Sequence, residues 1–158
     1  MIKKISILTT MVLIFGLVIN FGYSQAVMID IVNAGFEEQW LLNNTSTTNE
    51  SVFGWDFYHP GQIANYGVWN PRVLFEYPGT PTGAPEGRNV GYIQVNGSDA
   101  TPAGFKQTLD SLFKGYTTYN LEVDIGNTKL FKDLLYEGFP GYRIELWAGK
   151  TRLAFDSN

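Results

Sequence analysis

Residues 119–125, Tyr-Asn-Leu-Glu-Val-Asp-Ile, alternate strictly between apolar and polar side chains. Successive side chains of a β-strand point to opposite faces, so this segment has an apolar face and a polar face with Asn120, Glu122 and Asp124. That pattern is typical of a strand with a core on one side and water on the other. The segment therefore predicts part of an antiparallel β-sheet.

Residues 141–147, Gly-Tyr-Arg-Ile-Glu-Leu-Trp, repeat the alternation closer to the carboxyl end. The repeat places Arg143, Glu145 and Trp147 on the outward face of a second strand. A glycine-containing turn then leads into residues 151–155, whose composition also favours a strand. The two strands predict a closing hairpin.

Other segments agree with an all-β chain. Shorter strands are predicted at residues 28–32, 52–58, 66–69, 89–95 and 104–109. Residues 78–88 contain three prolines and three glycines, which predicts a surface loop. Residues 128–137 fit a helical turn or a bulged loop equally well.

Composition and charge exclude several classes of function. The chain of 158 residues is the length of one domain, and its 4 Trp, 9 Tyr, 11 Phe and 17 Gly favour strands and turns. A net charge of −4, with no basic cluster longer than Lys3-Lys4, excludes nucleic acid as a partner. The absence of cysteine excludes disulfides, a thiolate nucleophile and a cysteine-ligated zinc ion.

The amino terminus has the order of a secretory signal peptide. Lys3 and Lys4 precede an apolar run, and small residues follow at Ser24 and Ala26. The apolar run is shorter than the ~20 residues of a spanning helix, which disfavours the alternative of an uncleaved anchor. We predict cleavage after Ala26, with cleavage after Ser24 as the alternative. The prediction implies contact with the membrane only during export and a secreted or cell-surface domain at residues 27–158.

Six motifs, read in order, carry a resemblance to a known family. They are 32–37 (Val-Asn-Ala-Gly-Phe-Glu), 54–55 (Gly-Trp), 85–92 (Pro-Glu-Gly-Arg-Asn-Val-Gly-Tyr), 106–109 (Lys-Gln-Thr-Leu), 119–127 (Tyr-Asn-Leu-Glu-Val-Asp-Ile-Gly-Asn) and 141–149 (Gly-Tyr-Arg-Ile-Glu-Leu-Trp-Ala-Gly). They resemble a secreted bacterial family of galactose-binding-like jelly rolls, similar to carbohydrate-binding modules and to domains of PEP-CTERM-type exported proteins. The resemblance implies an antiparallel β-sandwich. Such domains continue beyond the position of Asp156, so it also implies that the last strands are missing.

The resemblance further implies a structural calcium ion. In the resembled modules a glutamate shortly after the first strand helps to hold that ion, and the matching position here is Glu37, with Asn33 nearby. Carboxylate and carbonyl oxygens are the usual calcium ligands. The alternative for Glu37 is a carboxylate that is solvated, or bonded to N–H groups, in a turn.

Sugar binding requires exposed aromatic faces together with planar polar groups. The candidate residues are Trp147, Arg143 and Glu145 on one predicted strand, Asn120, Glu122 and Asp124 on another, and Trp69 and Tyr77 in loops. Each tryptophan can instead pack in the core. Core packing is the favoured interpretation for Trp55, whereas neither interpretation is favoured for Trp147.

The sequence lacks a recognisable catalytic motif. Its only histidine, His59, precedes Pro-Gly in a predicted turn, and neither Gly-x-Ser-x-Gly nor His-Glu-x-x-His is present. We therefore predict an exported non-enzyme that binds glycan at the cell surface or in the extracellular matrix. The alternative is a structural or adhesive protein that binds another protein by strand addition at an open sheet edge.

Overall fold

The computed structural model describes residues 2–9, 26–59, 65–71, 83–95, 102–126, 130–131, 134–135 and 141–158. Every regular element within these ranges is a β-strand, and every pair of strands is antiparallel. The predicted all-β, antiparallel fold class is therefore confirmed. No helix in the described part of the chain has the length and hydropathy of a membrane span.

The described strands follow one another in chain order. They are β1 (Ile2–Thr9), β2 (Thr45–Ser46), β3 (Asp56–Tyr58), β4 (Asn65–Asn70), β5 (Val90–Gln94), β6 (Gly104–Lys106), β7 (Tyr119–Gly126), β8 (Leu130–Phe131), β9 (Leu134–Leu135), β10 (Arg143–Ala148) and β11 (Thr151–Ser157). The chain divides into two compact units. One unit contains the sheets β2-β4-β5, β3-β6 and β8-β9, and the other contains β1-β7 and β10-β11.

Among the strands of the first unit whose burial is described, β4 is the most deeply buried. Val68 is fully buried, Trp69 is 3% exposed and Asn70 is 1% exposed. On one side β4 pairs with β5, and on the other Thr47 donates its N–H to the carbonyl of Val68 at 2.9 Å. A Cβ on Gly67 would lie 2.6 Å from the carbonyl oxygen of Thr47, so this close approach requires glycine.

Aromatic rings form the packing between the strands of the first unit. The ring of Phe36 stacks on Trp55 with centroids 5.4 Å apart, and Phe57 stacks on Tyr66 at 3.8 Å. Phe105 contacts three of these rings. The half-buried Trp55 packs here and donates its Nε1–H to the carbonyl of Asn33, as the core interpretation of this residue predicted.

The first predicted strand, residues 28–32, is not formed. The Gln107 side chain instead makes hydrogen bonds to both backbone groups of Val32. Its Oε1 accepts the Val32 N–H, and its Nε2 donates to the Val32 carbonyl, both at 2.9 Å. Residues 52–58 form only β3, preceded by a tight bridge between Val52 and Trp55. A side-chain amide far along the chain thus replaces a strand neighbour.

The predictions from alternation hold in the second unit. Along β7 the apolar positions are half-buried and the polar positions are exposed, as the period of two predicted. Strands β10 and β11 form the predicted hairpin, with one irregularity: Leu146 pairs with Ala154 but Trp147 pairs with Arg152. Leu153 is therefore an extra residue, a β-bulge. Where residues 128–137 are described, they contain β8 and β9 rather than a helical turn.

Candidate functional site

One face of the β10–β11 hairpin carries charged and aromatic side chains together. Strand β10 supplies Arg143, Glu145 and Trp147, and the register places Arg152 opposite Trp147 and Phe155 opposite Glu145. Opposing residues of an antiparallel pair share a face. We call these five residues the hairpin face. Trp147 is 50% exposed and Phe155 is 54% exposed, so two rings are open to solvent.

Glu145 is the centre of the hairpin face. Its Oε1 accepts from Arg152 Nη1 at 2.8 Å and lies 3.3 Å from Arg143 Nε. Its Oε2 accepts the Trp147 Nε1–H at 3.2 Å. The Arg152 guanidinium also lies over the ring of Phe155, 4.4 Å from its centroid. These contacts hold the indole and both guanidinium groups in one arrangement.

The charge state of Glu145 follows from these neighbours. The hydrogen bond from Arg152 is the main cause that lowers its pKa, with contributions from Trp147 and Arg143, while partial burial acts in the opposite direction. The carboxyl group therefore stays ionised at neutral pH. An ionised acceptor suits the binding of hydroxyl donors, but it makes Glu145 a poor proton donor.

The lowered pKa predicts a pH-dependent stability that Glu145→Gln removes. A carboxyl group whose pKa is lower in the folded state stabilises the fold above its unfolded pKa, and this contribution is lost as pH falls through the folded pKa. We expect the wild-type protein to lose its advantage over the variant on acidification below the ordinary value of 4.5. Urea denaturation of both proteins between about pH 2 and 7 measures this difference. A constant difference across that range would contradict the prediction. The control is Glu86→Gln, an exposed carboxylate outside the hairpin.

The other predicted sugar ligands do not join the hairpin face. Trp69 lies in β4 and is 3% exposed, which corrects its prediction as an exposed loop residue, because its ring is buried in the core. Asn120, Glu122 and Asp124 are exposed along β7, which belongs to a different sheet from the hairpin. Tyr77 lies outside the described residues.

The predicted metal ligands, Glu37 and Asn33, make hydrogen bonds in the described structure. Glu37 Oε1 accepts the backbone N–H groups of Arg88 and Asn89, both at 2.7 Å. The Asn33 side chain donates to the Phe53 carbonyl at 2.9 Å and accepts the Glu38 N–H at 3.2 Å. The structure thus gives Glu37 the N–H bonds of the alternative interpretation, and both polar atoms of the Asn33 side chain are engaged.

Two buried oxygens near Glu37 suit a cation. Asn89 Oδ1 and Gln39 Oε1 are buried and accept no hydrogen bond from any described residue. The amide Nδ2 of Asn89 donates to the carbonyls of Phe36 and Gln39 at 3.0 and 2.8 Å, which joins the two segments. Amide oxygens are among the ligands of calcium, so these two oxygens are candidates for part of the set of about 6–8 oxygens that the ion takes. The described residues contain no cluster of three His, Cys, Asp or Glu side chains that would hold a metal.

The opposite face of the hairpin holds a tyrosine and an aspartate. Tyr142 Oη donates a hydrogen bond to Asp156 Oδ2 at 3.1 Å, beside the half-buried Ile144 and Leu146. Burial raises the pKa of Tyr142, as do its hydrogen bond to Asp156 and the charge of that carboxylate. The phenol therefore remains protonated at neutral pH. The hydroxyl group holds the carboxylate in place by this hydrogen bond, which makes Asp156 the candidate proton acceptor of the pair.

Comparison with known proteins identifies the family. The profile of the HpiC1-like family, described as HpiC1 cyclase, matches residues 27–158. The chain belongs to the HpiC1-like family. A search among curated proteins and a search among solved structures found no significant match.

Membership of the HpiC1-like family corrects the prediction that the protein is not an enzyme, because the family description names a cyclase. That prediction relied on the absence of short catalytic motifs. Catalytic side chains from separate strands leave no such motif, so its absence carries little weight. The match does not bear on the resemblance to galactose-binding-like domains, which stays a prediction.

Two residues of the hairpin face in this HpiC1-like chain were missed from the sequence. Arg152 and Phe155 are three positions apart, and a strict period of two places them on opposite faces. The bulge at Leu153 returns both to one face. Its only sequence signal is a run of three successive apolar residues within the strand, Leu153-Ala154-Phe155.

Proposed function

We propose that the protein is exported and binds a glycan on the hairpin face, at the cell surface or in the surrounding matrix. The observation that carries this proposal is the arrangement of two half-exposed rings, Trp147 and Phe155, around one ionised carboxylate and two guanidinium groups. Pyranose rings offer apolar C–H faces that stack on aromatic rings. Their hydroxyl groups bond to planar charged groups such as Glu145 and Arg143.

The geometry favours a ligand that lies flat along the hairpin. The rings of Trp147 and Phe155 contribute apolar area, and their contacts with Glu145 and Arg152 restrict their rotation. Side chains that are ordered before binding lose less conformational entropy on binding. A polar, extended oligosaccharide therefore fits this surface better than a compact apolar molecule does.

The family description favours a second function, which is enzymatic. A cyclase closes a ring within one substrate molecule, and we propose that this chain catalyses a ring closure of that type. Ring closures commonly require a proton to be delivered or removed at the reacting atoms. The Tyr142–Asp156 pair is the proton-transfer group that supports this proposal, since it lies on the hairpin beside apolar side chains.

Calcium is proposed as a structural ion rather than as part of the chemistry. Glu37, Asn89 and Gln39 would hold it through carboxylate and amide oxygens. When bound, the ion would supply positive charge that ties the loop before β5 to the segment of Phe36. A rise in the unfolding midpoint with added calcium chloride, which chelator reverses, measures this contribution.

Trp147→Ala tests the glycan proposal. We expect affinity for the best ligand in a panel of cello-, xylo-, manno- and chito-oligosaccharides to fall about tenfold or more, the loss typical of a central aromatic contact. Because half of the ring is exposed, we expect the free energy of unfolding to change by only about 1 kcal/mol. Isothermal titration calorimetry and urea denaturation measure the two effects.

The control for that variant is Trp40→Ala. Trp40 is 72% exposed and has the Arg88 guanidinium 5.9 Å from its ring centroid, so it matches the chemistry of Trp147 at another place. We expect this variant to bind the panel as the wild type does. If Trp40→Ala abolished binding while Trp147→Ala kept it, the glycan site would not be the hairpin face.

The cyclase proposal has its own readout on the same panel. Ring closure gives a product of unchanged mass, or one lighter by a water molecule, with a new retention time in liquid chromatography and mass spectrometry. We expect Tyr142→Phe to abolish that product and to leave glycan binding at the hairpin face intact, since the hydroxyl group lies on the opposite face of the hairpin. A product that forms equally well with Tyr142→Phe would contradict the role of the pair.

A further inference from the structure

Strand β7 has an edge that takes a complete partner strand. Its eight residues pair with β1 in one unbroken antiparallel register, from Ile2 opposite Gly126 to Thr9 opposite Tyr119. No bulge interrupts the pairing, unlike that of the hairpin. At about 3.4 Å per residue the paired edge extends over about 27 Å. Among the described strands, β1 is the only neighbour of β7.

The partner strand lies in a segment that we predict to be removed. Residues 2–9 belong to the predicted signal peptide, 1–26, whereas β7 belongs to the exported domain. Cleavage would leave the N–H and C=O groups along one edge of β7 without their partners. An open edge of this length is a template for another strand.

We propose that β7 is a strand-addition site, occupied by residues 2–9 in the precursor and by an extended segment of another protein after export. This inference rests on the proposed export. The pairing of main-chain groups would provide affinity, and the side-chain pattern of β7 would select the sequence of the incoming strand. Strand β7 takes part neither in the glycan binding proposed for the hairpin face nor in the proposed cyclase activity.

The register indicates what sequence the site accepts. Leu121 and Val123, on the half-buried face, lie opposite the positions of Ile7 and Ile5. On the exposed face, Asp124 lies opposite the position of Lys4. Opposing residues of an antiparallel pair share a face, so apolar residues suit one face and a basic residue suits the other.

The acidic side chains of β7 also favour an incoming strand that carries basic residues. Glu122 and Asp124 are both exposed on the same face, and Asn120 donates its Nδ2–H to Glu122 Oε1 at 3.2 Å. The incoming strand would thus meet two neighbouring carboxylates. An acidic segment would be repelled there, so the expected partner has alternating apolar residues and at least one Lys or Arg between them.

The test measures binding of a labelled peptide with the sequence of residues 2–9. The full chain, in which β1 occupies the site, is compared with the full chain carrying Ile5→Pro and Ile7→Pro. Proline removes backbone donors and disfavours pairing of the internal strand. We expect the peptide to bind the double variant at least about tenfold more tightly than the wild type. Equal binding by a peptide of scrambled sequence would overturn the inference.

A charge exchange tests the register. Added to the double variant, Asp124→Lys is expected to weaken binding of the peptide with the wild-type sequence. A peptide that carries Lys4→Glu is expected to restore the affinity. If the double variant does not fold, a specific protease site inserted after Gln25 in the full chain replaces it. Cutting then frees residues 2–9 to exchange with labelled peptide. Absence of exchange, or dimerisation of the cut chain in place of peptide binding, would contradict the proposed occupant.

The same samples separate this inference from the proposed export. The mass of the protein recovered from the medium shows whether residues 1–26 are removed. If they are retained but the double variant binds the peptide, the site exists and export with cleavage is wrong. If they are removed and the peptide does not bind, the strand-addition site is wrong.

Discussion

Gly67→Ala is expected to lower the free energy of unfolding by about 3 kcal/mol, since overpacking and an unfavourable backbone each cost about 1–3 kcal/mol. A Cβ at this position would lie 2.6 Å from both the carbonyl oxygen and the Oγ1 of Thr47. The carbonyl belongs to the backbone and cannot rotate away. The φ of Gly67, +156°, is also one that residues with a side chain rarely adopt. Urea denaturation followed by tryptophan fluorescence measures the loss.

Gly104→Ala is the matched control. Gly104 lies in β6, and a Cβ there would meet no atom within 4 Å. We expect its stability to stay within about 0.5 kcal/mol of the wild type, as at other uncrowded positions. If the two variants were equally stable, the close approach of Thr47 to β4 would not limit the packing of this sheet.

Asn89→Asp is expected to cost about 3 kcal/mol or more. Asn89 is 4% exposed, and its Nδ2 donates to the carbonyls of Phe36 and Gln39. The substitution removes both donors and places a carboxylate oxygen against two carbonyl oxygens, next to Glu37. Each unsatisfied buried group costs about 1–3 kcal/mol, and an unpaired charge costs more.

The measurement is made with chelator present, because calcium would stabilise a carboxylate at this position. The control for the added charge is Asn43→Asp, since Asn43 is exposed and lies outside the strands. We expect this substitution to change the free energy of unfolding by about 0.5 kcal/mol at most. A wild-type-like stability of Asn89→Asp in chelator would show that the loop before β5 does not depend on the amide.

The elements that the sequence predicted correctly are those with local causes. The strand β7 and the hairpin follow from a period of two over seven or more residues, and the burial along β7 matches it position by position. Arg143, Glu145 and Trp147 were placed together for the same reason. The alternation is a property of neighbouring residues, so no knowledge of the rest of the chain was needed.

The elements that were not predicted depend on contacts between distant residues. Gln107 bonds the backbone of Val32, 75 positions away, and no local pattern near residue 32 indicates that a side chain replaces a strand partner. Trp69 follows a segment that contains glycine and asparagine, yet it lies in the central strand of the sheet β2-β4-β5 and is 3% exposed. Burial of this kind is decided by which strands become neighbours.

The bulge at Leu153 shows how one extra residue can prevent the sequence from predicting which side chains share a face of a strand. The burial along β11 alternates from Ala154 to Ser157, but Leu153 and Ala154 are two successive half-buried residues. Past this position the parity of the strand reverses, so Phe155 joins Arg152 on the exposed side. A bulge has no strong sequence signal of its own, and the composition of the hairpin face therefore required the structure.

The two arginines of the hairpin face give this surface a charge opposite to that of the protein. Arg143 and Arg152 surround a single carboxylate, whereas the chain as a whole carries a net charge of −4. Within about 8 Å, the Debye length at physiological ionic strength, an approaching anion would experience this local positive potential more than the distant acidic groups. The association rate of an acidic ligand, such as a uronic-acid oligosaccharide, would therefore decrease as salt is added, while that of a neutral one would not.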